Sequence, residues 1–407
     1  MKNSASILII FLIVSSCYSG DPDGAGLSSE RMKNFTISED SKIQISESEK
    51  IYIDPTTVKV ETAKASELFK NREYINLQTP DGIIIGQISN MKINNDRILI
   101  LDALISKNAY LFDKDGKYIF TIGKKGGGPG EIDDPVAIEL TDNKIYIIDR
   151  QFAVHEYNYQ NEFIQMQKIP FFSHSVFAFN NETLAFSNNT TGFEDLSYQI
   201  LFINKQKITQ GALKNKGIAI SQYASRNLNY NKKVHSNSFL FSEPWGNIIY
   251  QMYQDKIVAK YEVVSKTPFP ETLLNNPNQL VIDQFKYTFI HNWPILETNE
   301  LLMLRAANNQ KLMTIFYNIK LKTLKSYGAI EDDLLYGGIS DFPFYVNDKS
   351  FYLPLNVEQL YAVKEEIEQI EDKQLLAELE QARPEVFMLF KNITEFSNPI
   401  LMKCDIY

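Results

Sequence analysis

Histidines and strand-end cations are the side chains of this 407-residue chain with the clearest chemical reach. His174 and His291 each stand six residues before an expected hairpin turn, at Asn180 and Glu297, and His235 precedes another expected strand in a shifted register. Three neutral imidazoles gathered at one mouth would suit a tetrahedral metal with an open position. No carboxylate can be named to orient them, so polar side chains at loop ends is the plainer reading. Lys107, Arg150 and Arg305 follow or end expected strands and are candidate ligand contacts, with solvated loop charge as the competing explanation.

Asp102 and Asp149 could act as general acids or bases. Yet Leu101-Asp102 and Ile148-Asp149 occupy the same place in successive repeats, which argues that each carboxylate bonds the backbone of the loop after it. The run Gly123 to Gly130 looks superficially like a phosphate cradle. Such a cradle must open a helix, whereas here Pro129 interrupts the glycines and a strand follows, so a turn between units is expected. Nucleophile elbows, zinc-protease helices, clustered cysteines and EF-hand loops are absent from the sequence. No catalytic residue and no cofactor are assigned.

The amino terminus reads Met1-Lys2-Asn3, an apolar run Ile7 to Val14, then Ser15-Ser16-Cys17. That run is too short to span a bilayer, and small residues close it, as in a secretory signal. Cys17 directly after the two serines makes it resemble a bacterial lipoprotein signal, with Val14 where Leu is usual. The resemblance implies removal of residues 1–16 and an acyl anchor, palmitate among its chains, on Cys17. Residues 17–66, rich in Ser, Asp, Glu and Lys, are expected to form a flexible tether. Cys404, the other cysteine, sits in an alternating apolar run and reads as a core thiol. Fifty acidic against 41 basic residues, net −9, removes the field that nucleic-acid binding needs.

The elements that must position these side chains are short strands. Ile88 to Ile93, Arg97 to Asp102, Ala109 to Asp113 and Tyr118 to Gly123 are apolar-rich segments joined by tight turns, Asp115-Gly116 being the strongest hairpin signal. The pattern recurs about 47 residues later and then more weakly, the signature of propeller blades. Six units can be drawn between residues 67 and 407. The last lacks an outer strand, and Tyr74 to Leu77 is an orphan able to supply it. A charged run, about 358–383, has helical propensity and Pro384 behind it as an expected stop.

Residues 97–138, with Leu101-Asp102, Tyr110-Leu111-Phe112-Asp113 and the Gly123 to Glu131 run, resemble NHL-type repeats. The longer arrangement, including Ser242-Glu243-Pro244 and Asn398-Pro399-Ile400-Leu401, resembles six-bladed β-propeller lipoproteins of Gram-negative bacteria. The expected fold is all-β: six blades closed by an N-terminal strand, with a helical insert in the last. The expected role is a non-catalytic binding protein, anchored through Cys17 at the outer membrane, for a protein, peptide or glycan partner. The alternative is a metal-dependent propeller lyase or lactonase using His174, His235 and His291 at the tunnel mouth.

Overall fold

In the computed structural model, residues 43, 45–46, 50–94, 96–188, 198–204, 207–214, 237–291, 295–308, 311–336, 339, 345–347 and 350–406 are described. Cys17 and His235 lie outside them.

The first repeat folds as its alternation demands. Asn90–Ile93, Arg97–Asp102, Asn108–Asp113 and Tyr118–Thr121 pair antiparallel in sequence order. The Asp-Gly turn holds Gly116 at φ 86, where a side chain would strike the Asn76 carbonyl. Both faces of the middle strands are buried because neighbouring blades cover them: Ile98, Leu99, Ile100 and Leu101 are all at most 1% exposed. Pro135–Leu140, Ile145–Asp149, Ala153–Tyr157 and Phe163–Lys168 repeat the order as blade two, and Val176–Ala178, Thr183–Ser187, Tyr198–Asn204 and Lys207–Lys214 as blade three. Blade four shows Phe239–Ser242, Ile248–Met252 and Ile257–Val263. In blade five, Phe289–Ile290 and Leu296–Glu297 share the inner edge of Leu301–Asn308, followed by Lys311–Asn318 and Thr323–Glu331. The chain is thus an all-β, six-bladed propeller.

Blade six closes the ring. Tyr345–Val346 and Phe351–Leu355 begin it, the C-terminal strand Ile400–Ile406 is third, and Phe69–Asn76 is the outer strand. The orphan strand expected around Tyr74 therefore fills the vacancy expected in the last blade.

Three further N-terminal strands correct the expected tether. β1 (Ile45–Ser46) and β2 (Ile51–Ile53) add parallel to the outer strand of blade four, and β3 (Val60–Lys64) to that of blade five. Together with β4 (Phe69–Asn76), they run along three successive blade edges, so residues 50–66 belong to the folded ring. Ile53 and Ala63, 1% and 3% exposed, explain why: each inserts an apolar side chain between blades.

The insert contains three helices, α1 (Val357–Glu368), α2 (Lys373–Ala382) and α3 (Pro384–Phe390). It extends beyond 383 because Pro384, behind the expected stop of the second helix at Ala382, also opens the third, where a missing N–H costs nothing. Leu360, Ile367, Val386, Leu389 and Phe390 enter the core of blades five and six, whereas α2 buries none of its side chains. Cys404 is buried beside them, its thiol pushed up to about 12 by desolvation, as a core role requires.

Candidate functional site

Every blade repeats one antiparallel sense, so second strands run toward the same face of the ring. That face collects the loops after Asp102 and Asp149, the helical insert after Leu355, and the segments leading into each inner strand. Lys107, Arg150, His174, His291 and Arg305 all belong to it.

The two repeat aspartates are committed to structure. Asp102, fully buried, accepts through Oδ2 from the amides of Gly86 (2.8 Å), Gln87 (3.3 Å) and Ser106 (3.0 Å). Its Oδ1 takes those of Leu104 and Ile105. Burial would raise its pKa, but the Ile105, Ser106 and Gly86 donors outweigh that and hold it below the ordinary 3.8. Asp149 takes the Gln151 and Ala153 amides on Oδ1, while Oδ2 lies 2.7 Å from His155 Nε2. His155, 2% exposed, received no role in the sequence reading. Its signal was available in hindsight, since it stands directly opposite Ile147 on the neighbouring strand.

The structure brings Lys107 and Arg150 together on a residue that sequence reasoning missed. Asp134 sits in the connection after the glycine run. Arg150 Nε is 2.6 Å from Asp134 Oδ2, and Lys107 Nζ is 3.6 Å from Oδ1. The Arg150 amide also donates to the Asp134 carbonyl, 2.9 Å, which fixes the carboxylate below the two cations. Asp134 is 19% exposed, but the lysine and arginine side chains are 45% and 48% exposed and keep donors facing solvent. Leu104 and Ile105, 63% and 65% exposed, flank the lysine on its own loop.

An aromatic wall adjoins this pair. Phe152 meets Phe172 edge-on at 5.7 Å, and Phe172 meets His174 at 4.4 Å. Burial, aided by the Arg150 charge, pushes His174 down to about 4, so its ring is neutral at pH 7. Phe289-Ile290-His291 repeats the Phe-x-His spacing on blade five, and the His291 amide donates to the Arg305 carbonyl at 2.9 Å. Burial, then the Arg305 charge, takes His291 to about 4 as well. Phe269 packs on Phe289 and on Trp245 behind it.

Each described candidate histidine thus has an arginine as electrostatic neighbour, which opposes a bound cation. Among the described residues, no three His, Cys, Asp or Glu side chains come close enough to hold a metal. Nor is any described helix long and apolar enough to cross a membrane.

Glu243, from Ser242-Glu243-Pro244, accepts from Gln199 Nε2 at 2.7 Å across the blade three–four boundary. Asn398, 1% exposed, accepts the Ile85 amide at 2.8 Å and donates to the Gln78 and Ile83 carbonyls. Both signatures therefore serve the ring.

The fold has a relative of nearly the same extent. A crystal structure of a protein described as exported, from Bacteroides fragilis, superposes with a TM-score of 0.69 at 19% identity, covering 89% of this chain and 100% of that one. A member of the DUF4221 family from Bacteroides vulgatus is more distant, with a TM-score of 0.49, 10% identity and coverage of 83% and 96%. No curated protein matches the sequence. Residues 48–405 match the family model described as a domain of unknown function, DUF4934, and the chain belongs to that family.

Proposed function

We propose that this DUF4934 chain is an exported, non-catalytic binding protein of the cell envelope, held at the outer membrane by a lipid on Cys17. It presents the face carrying Lys107, Arg150 and Arg305 to a protein, peptide or glycan. The observation that carries this reading is the Lys107–Asp134–Arg150 arrangement: two half-exposed cations oriented by one covered carboxylate, beside exposed Leu104 and Ile105 and the Phe152–Phe172 wall. Guanidinium donors next to apolar and aromatic surface suit carboxylate-bearing chains. The repeat aspartates of the same face are occupied by backbone donors, which commits them to loop structure and away from acid–base work. The lipoprotein-like start, the NHL-type repeat resemblance and the exported relative support the address.

Titration of a soluble chain beginning at Tyr18 against acidic peptides and acidic oligosaccharides tests the binding face. Arg150→Ala is expected to weaken a bound ligand about tenfold or more, the worth of one charge-assisted contact, while Lys320→Ala, an exposed pair elsewhere, leaves affinity unchanged. Equal affinity in both variants removes the assignment. Separately, Cys17→Ala in the full chain is expected to move the protein from membranes to the soluble fraction, and retention there sinks the anchor.

A further inference from the structure

The glycine run after blade one forms an ordered loop on the same face as Lys107 and Arg150. It leaves the blade beside the lysine, where the Ile122 amide donates to the Ala109 carbonyl at 2.8 Å. It ends at Asp134, the carboxylate that Lys107 and Arg150 share. Between those points the loop closes on itself. The Ile132 amide donates to the Lys124 carbonyl at 2.7 Å, and the Gly128 amide to Glu131 Oε2 at 2.9 Å. A side chain at Gly126 would displace that carboxylate. Glu131 is thus turned inward, while Lys124 and Lys125 are exposed and form no ion pair among the described residues. Asp133, also exposed, is the acidic residue of the loop that faces solvent most openly.

Lys124, Lys125, Lys107 and Arg150 therefore follow one path across blades one and two, with the Phe152, Phe172 and His174 rings beside its end. Cations in series suit a chain that carries many negative charges. The backbone around them says what kind of chain. Asp102 takes the amides of Gly86, Gln87, Leu104, Ile105 and Ser106, Asp149 those of Gln151 and Ala153, and Asn161 that of Gly123. The strands meet this face end-on and present no edge to it. A peptide recognised through its main chain therefore finds few partners here. Recognition falls to side chains: cations for carboxylates, aromatic rings for the C–H faces of sugars.

We infer that residues 123–131 belong to the binding face, and that Lys124 and Lys125 lengthen the Lys107–Arg150 pair into a track for an acidic polysaccharide, a chain of sugars bearing carboxylates at regular intervals. The inference rests on the binding reading proposed above and narrows its partner to one class.

Oligogalacturonates of two and eight sugars, titrated at low salt against the chain beginning at Tyr18, test it. The octamer is expected to bind at least about tenfold more tightly than the dimer, because it reaches both ends of the track. Lys124→Ala with Lys125→Ala should weaken the octamer about fivefold, and Asp133→Asn should tighten it, while Lys320→Ala changes nothing. An octamer no tighter than the dimer overturns the inference. If Arg150→Ala weakens the octamer and the double lysine variant does not, the track is wrong and the binding face stands. If neither variant matters, the binding reading falls with it. Equal or tighter binding of an octaglutamate peptide overturns the choice of polysaccharide, and binding of neither probe overturns the whole inference.

Discussion

Blade one and blade six solve the same packing problem by opposite routes. Blade one takes all its strands from one continuous stretch, Asn90 to Thr121, and locks its loop with Asp102. Blade six gathers strands from both ends of the chain, with Lys403 Nζ reaching Glu73 across a sequence separation of 330 residues, and places three helices between its second and third strands. One blade needs tight turns; the other needs connectors that hold distant segments in register. Those connectors are visible. Arg72 Nε is 2.8 Å from Glu385 Oε2 and Tyr74 Oη donates to the same carboxylate, so β4 and α3 grip each other. Asn398 ties the start of the C-terminal strand to residues 78–85.

The contrast is broken most severely at β4. A chain beginning at Gln78 should lose cooperative thermal unfolding, because blade six and the ring seam lose their outer strand; a sharp transition near the parent melting temperature would show closure to be dispensable. A chain beginning at Glu67 keeps β4 and should still melt cooperatively. Next comes Asp102→Ala, which strands several buried amides and is expected to cost about 3 kcal/mol or more in denaturant unfolding. Asn398→Ala follows at about 2 kcal/mol, mainly from the unpaired Ile85 amide. If it matches Asp102→Ala, the seam is as tightly specified as a local loop. Arg72→Ala is milder, about 1 kcal/mol, since its partner Glu385 is one-third exposed and partly screened.

Acid gives the finest test. Glu385 is held below its ordinary 4.5 by the Arg72 hydrogen bond, against desolvation, so the folded state binds its proton less readily than the unfolded chain does. Its stabilisation is complete above 4.5 and is lost as pH falls through the folded value. Glu385→Gln should flatten the decline of melting temperature in that window, whereas an unchanged slope would place the acid sensitivity elsewhere.

How much of this could be read in advance follows the same division. Hairpins announce themselves, since alternation and Asp-Gly turns lie next to each other in sequence, and β4 was found because blade six had a vacancy. β1 to β3 were not, because a short parallel strand has no sequence-adjacent partner and their stretch is as polar as a linker. Lys107 and Arg150 were nameable as strand-end cations. Their meeting on Asp134 was not, since that residue sits in an aperiodic connection and only the packing of blade two beside blade one brings the three together. The helical propensity of the insert was plain and Pro384 does stand behind the end of α2, but that it also opens α3 was not legible, because that helix is held by Arg72 and by core residues far away in sequence.

The pairing of Phe69–Asn76 with Ile400–Ile406 also sets an order of events. A protein made from its amino end releases β4 long before its partner strand Ile400–Ile406, so β4 must wait, edge open, while the blades between them form. Contacts of such long separation form slowly, and an exposed strand edge in the interim invites mispairing. The late arrival of the ring's final strand makes closure, more than the assembly of any single blade, the step at which folding is slowest and most open to error.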